Sequence, residues 1–196
     1  GDDHAPEINV SSVDRISVLK GSSGVRFGPE ALGGAIIVEP NPMKLEDPYY
    51  LSINSGYQTN GRGTNLSVNT GKGFKNLGFN LGVSNVKIGD KHAPSYSLTN
   101  SGKEEKGFNL GLHYHLNSFD IKLYYSYVDV NLALLRSSVF HSGNAISRAI
   151  NSEEPLFIRP FSFEINEPNQ LVDHHLGKLN INWWYNENDK LSFVFG

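Results

Sequence analysis

The sequence predicts an all-β chain whose strands form one antiparallel sheet with lipid on its apolar side, and three observations carry that prediction. Hydrophobicity alternates with a period of two in about seven segments, the pattern of half-buried strands. The polar side of those segments is largely Asn, Ser, Gly and His, where a sandwich washed by water would carry many Lys and Glu; a crowded polar lumen fits better. The connections alternate between tight and long, so one rim would hold turns and the other loops, as in a transmembrane antiparallel β-barrel.

The elements follow in order. Arg15 to Leu19 alternates, with Ile16 and Val18 on one face, and Ala35-Ile36-Ile37-Val38 is a short β-rich run, so two strands joined by a glycine-rich turn are expected. Glycines 21, 24, 28, 33 and 34 mark places where the backbone needs positive φ or close approach. The stretch from Gly24 to Gly28 is no phosphate loop, because no Gly-Lys-Ser/Thr ending and no helical pattern follows it.

From Tyr49 the apolar sets are Leu51, Ile53 and Tyr57, then Leu66 and Val68, then Leu77, Phe79, Leu81 and Val83. Phe108 to Leu116, Phe119 to Tyr127, Leu179 to Tyr185 and Leu191 to Phe195 continue the alternation. Each segment suits the ~9–11 residues of a tilted membrane strand. A break in phase between Val83 and Val86 predicts a bulge near the loop rim. Aromatic residues at segment ends (Tyr49, Tyr57, Phe74, Phe119, Trp183, Tyr185) suit interfacial girdles, although such rings also cap sandwich edges.

Tight links fall at Lys72 to Asn76, Asn117 to Ser118 and Asn186 to Asp189. The alternate links lengthen from Asn60-Gly61-Arg62-Gly63 through Ile88 to Lys106 and on to Asp129 to Val172. Within the longest, Ser142 to Asn151 predicts a short helix with Ala145, Ile146, Ala149 and Ile150 on one stripe. Pro155, Pro160 and Pro168 then hold an extended path bearing Phe157, Phe161 and Phe163. A loop of this length with its own helix is more often functional than idle.

The run VDRISVLKGSSGVRFGPEALGGAIIVE, Val13 to Glu39, resembles the end of the plug domain of TonB-dependent outer-membrane receptors. The order is a strand, Lys20-Gly21, Phe27-Gly28, Ala31-Leu32-Gly33-Gly34 and an apolar strand, with Gly21, Gly28, Gly33 and Gly34 as the structural glycines. Ser17 stands where these receptors usually carry an acid, and Ser22-Ser23 replaces the commoner Pro-Ser or Ala-Ser, which puts any acid-dependent contact inside the plug in doubt. Further along, His141-Ser142-Gly143-Asn144, Phe161-Ser162-Phe163, Pro168-Asn169-Gln170 and His174-His175 look like a subgroup with a conspicuous third extracellular loop.

The resemblance implies residues 1–42 as the C-terminal part of a plug and 43–196 as the first barrel strands, a fragment of a plugged barrel in the outer membrane of a Gram-negative bacterium. It implies active uptake of a scarce nutrient, energised by a TonB protein that pulls on the plug through a segment upstream of Gly1. Siderophore, haem, metal ion, cobalamin and glycan all fit, and the histidines tilt the reading toward a metal or metal complex. The polar start GDDHAPEIN lacks the features of a signal peptide, so the expectation is an internal piece of a longer precursor. Further strands, in a barrel of the ~22-stranded class, would follow Gly196. The alternative reading is a soluble β-rich module binding polysaccharide or protein through its long aromatic loop.

Composition narrows function further. With 196 residues, 38% hydrophobic and no apolar run of spanning length, a helical membrane protein is excluded. A net charge of -3 offers no basic surface, so nucleic acid is not an expected partner. The cysteine count of 0 removes disulfides, thiol nucleophiles and thiolate metal sites. No Ser-His-acid order sits in a nucleophile elbow, and Glu104-Glu105 and Glu153-Glu154 read as exposed loop pairs, so no enzyme and no cofactor are expected.

The ligand-binding candidates are Asp2, Asp3, His4, Glu7, His113, His115 and His141. His4 among three carboxylates has the donor types of a divalent-cation site, and equally of a solvated turn. His113 and His115 share the luminal face and could share an ion, or hydrogen-bond to plug groups or water. His4, His113 and His115 are the metal candidates; His174-His175 is structural, since adjacent strand residues point to opposite faces.

Overall fold

The computed structural model describes residues 13–40, 44–138, 143–187 and 189–196. Strand β1 (Val13–Lys20) pairs antiparallel with β2 (Gly34–Pro40), setting Lys20 opposite Gly34. Two short 3-10 turns, Gly21–Phe27 and Pro29–Gly33, close the hairpin. Gly21, Gly28 and Gly34 have φ of 63°, 119° and 132°, whereas Gly33 needs neither positive φ nor a close approach. Gly34 is the most constrained, because a Cβ there would also overlap the carbonyl oxygen of Leu19.

The remaining long strands are β3 (Tyr50–Gln58), β4 (Gly63–Gly73), β5 (Leu77–Ile88), β8 (Lys103–Leu116), β9 (Phe119–Ala133), β10 (Asn169–Trp184) and β11 (Lys190–Phe195). They form one seven-stranded antiparallel sheet in the order β11-β10-β9-β8-β5-β4-β3. The sheet is open, with β3 and β11 as its edges. Between β5 and β8 lies a two-residue ladder of β6 (Lys91–His92) with β7 (Ser97–Leu98), and the link from β9 to β10 contains helix α1 (Gly143–Ile150). The described residues contain no helix long and apolar enough to cross a membrane, which says nothing of strands.

Register places the alternating residues in rows across the sheet. On what we call the outer face, Leu116, Phe119, Trp183 and Leu191 form the row nearest the tight turns. The next rows bring together Leu77, Tyr114, Ile121, Ile181 and Phe193, then Phe79, Leu112, Leu123, Leu179 and Phe195. Leu81, Leu110 and Tyr125 follow, and after them Ile53, Val68, Val83, Phe108 and Tyr127. One row further on, polarity flips to Asn85, Lys106, Asp129 and Asp173.

Along β8 the apolar stretch from Phe108 to Leu116 spans about 27 Å of strand. At a tilt of 35–45° that is about 20 Å of height, close to the ~25 Å apolar band of membrane barrels. The aromatic end of the band is ordered: Phe119 stacks on Trp183 with centroids 5.9 Å apart, and Tyr185 packs edge-on against Trp183.

The inner face carries small and amide side chains in an interlocking pattern. Gly82 sits between Asn69 and Asn109 in one row, and Asn80 sits between Gly71 and Gly111 in the next. A Cβ at Gly82 would overlap both neighbouring amides, and one at Gly111 would overlap the Asn80 amide, so glycine makes room for asparagine.

Three expectations need correction. No bulge interrupts β5, whose pairing runs without a shift from Gly78 to Lys87 along β4 and from Leu77 to Ile88 along β8. What changes at Val86 is polarity: Val86 and Ile88 lie on the inner face while Asn85 and Lys87 lie outside. The same inversion occurs on β9, where Val128, Val130 and Leu132 form a small buried inner cluster with Val172 packed against it. Past this point the outer face is polar and the apolar side chains lie on the inner face. The strands also outrun the alternation, β8 starting at Lys103, β9 ending at Ala133 and β10 starting at Asn169, so the longest link is shorter than the sequence pattern implied. Finally, Glu104 and Glu105 lie in β8, where Glu104 pairs with Lys87 at 2.8 Å and Glu105 with Lys103 at 2.6 Å.

Candidate functional site

The links divide as their lengths predicted. Around 74–76, 117–118 and 185–189 they are tight; Asn117 takes φ +50° in its two-residue turn, which asparagine tolerates. At the opposite rim the segments 59–62, 89–102, 134–136 and 159–168 gather and bond to one another. Asn60 donates to the carbonyl of His92 and accepts from its amide, and Gly61 O accepts from the Gly89 amide. Arg62 lies over the Phe161 ring at 4.3 Å.

Two buried side chains hold this crown together. Asn100, 2% exposed, directs Nδ2 at the carbonyls of Leu134, Asn166 and Pro168 at 2.8, 2.9 and 2.8 Å, and its Oδ1 accepts from the Asn166 amide at 2.9 Å. Its φ of +62° points the amide inward, a conformation asparagine adopts at lower cost than most residues. Asp90, 1% exposed, accepts from the amides of Asn100 and Ser101 and from Arg159 Nε at 3.3 Å. Burial of that carboxylate is offset by these donors. Arg159 also ties its own amide to Thr99 Oγ1 and its Nη2 to the carbonyl of Glu164.

Near the turn rim, the inner face carries a charged cluster. His113 Nε2 lies 2.5 Å from Asp120 Oδ2, His115 Nδ1 lies 3.8 Å from the same oxygen, and Lys122 Nζ is 3.5 Å from Asp120 Oδ1. Register explains the gathering, since His113 stands opposite Lys122 and His115 opposite Asp120 across the Asn117-Ser118 turn. The hairpin β1-β2 faces this region across a cavity of about 680 Å³, to which Ile36 and Val38 contribute from the hairpin and His113, Lys122, Tyr124 and Lys178 from the sheet. On the hairpin, Arg15 Nε bonds Glu39 Oε2 at 2.5 Å. That hydrogen bond holds the Glu39 carboxyl below its ordinary range and raises Arg15.

Of the sequence-predicted site residues, Asp2, Asp3, His4, Glu7 and His141 lie outside the described residues. His113 and His115 do share the inner face, and their common neighbour is Asp120. Among the described residues no group of three or more His, Asp or Glu side chains is arranged to hold a metal ion. Sequence reasoning missed Asp120 and Lys122, although a two-residue turn at 117–118 fixes the register that brings them there. It also missed Asp90, Asn100 and Arg159. His174 and His175 lie on opposite faces as expected, and His175 joins Tyr125, Tyr127 and Asp173 on the outer one.

No protein-family model, curated protein or solved structure matches the chain.

Proposed function

We propose that this chain is part of a plugged outer-membrane β-barrel that imports a scarce nutrient by TonB-dependent transport. The observation that carries the reading is the unpartnered outer face. Among the described residues the buried hydrophobics are only Val128, Val130, Leu132 and Ala133, whereas Ile53, Val83 and Phe193 are 61%, 46% and 46% exposed. An apolar surface of this extent is incompatible with water around a monomer. A band of matching height, polar rows above it and aromatic residues at its turn-side border make lipid the fitting solvent.

The hairpin supports the transport half of the proposal. Its glycine-framed turns accord with the resemblance to a plug end, and it lies on the polar side of the sheet, where a plug would sit. The loop crown would face the cell exterior and form the vestibule wall, while the His113-Asp120-His115 cluster, close to the turn rim, would lie toward the periplasm. A nutrient arriving from outside would thus meet the crown first, and the histidine pair would serve contacts between barrel and plug. The ligand class remains a small nutrient, with a metal complex such as a siderophore or haem among the candidates, and the energising partner is a TonB protein.

The test is uptake by cells that express the protein containing this chain. Candidate metal complexes should accumulate only when both the protein and the TonB system are present. Accumulation that persists without TonB would overturn the mechanism, and a protein found outside the outer-membrane fraction would overturn the placement.

A further inference from the structure

A recess of about 580 Å³ lies outside the sheet, at the loop rim, where segment 161–166 folds over the ends of the strands. Lys87, Glu104 and Asn131, one registered outer row, form its floor, and Phe163 and Asn166 are among the residues that close it from the loop. We propose that this recess receives a sugar of a glycolipid in the outer leaflet of the membrane. The inference rests on the membrane reading of the outer face.

Position argues for a lipid. The recess opens on the face that carries the apolar band, with one polar row (Asn85, Lys106, Asp129) between it and the last apolar row. Two rows are four residues, about 13 Å along a strand and about 10 Å along the membrane normal at a 40° tilt. The headgroup layer of a bilayer adds only about 5–8 Å beyond the hydrocarbon on each side. A phosphodiester next to the acyl chains would therefore sit below the recess, and a sugar carried further out would reach it.

Chemistry argues for a sugar with hydroxyl groups. Lys87 and Glu104 neutralise each other at 2.8 Å, so the floor has no free cation for a phosphate. What remains are carboxylate and amide groups able to bond hydroxyls, beside an aromatic ring. Phe163 is 40% exposed, its ring packs at right angles to Phe161 at 5.0 Å and has Lys87 Nζ 5.8 Å over one face, which leaves the other face for a sugar, and Phe161 is itself held beneath Arg62 at 4.3 Å. A ring held in place before binding offers a sugar an apolar platform at little entropic cost.

The test uses the protein that contains this chain, in phospholipid bilayer discs with and without a rough-type lipopolysaccharide, followed by amide hydrogen exchange. Lipopolysaccharide should slow exchange in segment 161–166 at least several-fold, leave Leu110 to Leu116 of β8 unchanged, and lose its effect in Phe163→Ala. A second variant, Asn131→Leu, should weaken the effect; because it also removes the bond that Asn169 Nδ2 donates to Asn131 Oδ1, the effect is read as the ratio of exchange with and without lipopolysaccharide in the same variant. No slowing in discs that hold folded chain would overturn the glycolipid site and leave the membrane reading standing. Equal slowing by the free core oligosaccharide would overturn the membrane source. A chain that stays folded and monodisperse without detergent or lipid would overturn both.

Discussion

Asn100→Asp is the substitution from which the crown should suffer most for the smallest change in shape. Asparagine and aspartate share size, and both tolerate the φ of +62° found at this position. The change replaces the donor Nδ2 by an oxygen facing the carbonyls of Leu134, Asn166 and Pro168. Two hydrogens serve three acceptors there, so one full bond and one bond shared between two carbonyls are lost, and all three carbonyls are left facing an oxygen. A net bond contributes about 1 kcal/mol, and a buried group left unsatisfied costs about 1–3 kcal/mol, so the crown should lose roughly 3–6 kcal/mol of local stability.

Amide exchange would read this directly. The amides of Asp90, Leu134, Arg136 and Asn166, each bonded within the crown, should exchange on the order of 100-fold faster or more, while those of Phe108 and Tyr127 in the sheet should not change. Asn100→Gly separates the causes, since glycine accepts the backbone angle freely and makes none of the bonds. If Asn100→Gly exchanged at the native rate, the side-chain bonds would be idle and the reasoning wrong. Equal acceleration in crown and sheet would also refute it, by showing that the loops do not form a separate unit.

Three further outcomes follow from the same structure. Gly34→Ala should destabilise the hairpin by about 1–3 kcal/mol because of its φ and the Leu19 carbonyl, while Gly33→Ala, with open space around it, should change little in thermal unfolding. Because the folded Glu39 carboxyl is depressed by Arg15, its contribution is present above the unfolded value and is lost as pH falls through the folded value; carboxyl-detected NMR should place its midpoint below the ordinary range, and Arg15→Ala should return it. Leu112→Arg, in the middle of the apolar band, should cost about 2–4 kcal/mol in unfolding from bilayers, against about 0–1 kcal/mol for Asn85→Arg beyond its border; equal costs would contradict the band.

The strands were legible because the two faces of the sheet carry residues of opposite polarity, so successive residues alternate. Phe108, Leu110 and Leu112 alternate with Asn109, Gly111 and His113, and the ladder forms where that alternation lies. Legibility fails where that phase ends. Beyond Tyr127 the alternation of β9 goes on in inverted phase, with Val128, Val130 and Leu132 inward and Asp129 and Asn131 outward, and beyond Phe108 the extension of β8 to Lys103 is mostly charged, so an apolar outer face no longer marks either strand. The site was half legible: two histidines two apart on a strand share a face by geometry alone, but their partner Asp120 appears only once the turn register is fixed. Asn100 gives no local signal, because its acceptors are 34 to 68 residues away and belong to backbone rather than to any residue type.

The central claim is that lipid wets the outer face, and site-directed spin labelling tests it most directly. This chain has a cysteine count of 0, so single cysteines placed at each position from 107 to 116, with any cysteine elsewhere in the protein replaced by serine, carry the label. In bilayers, labels at 108, 110, 112 and 114 should collide readily with oxygen and poorly with a water-soluble nickel chelate, and labels at 109, 111 and 113 should not share that lipid exposure. Outer-face labels shielded from both reagents, or open to the nickel chelate along the whole strand, would contradict the account.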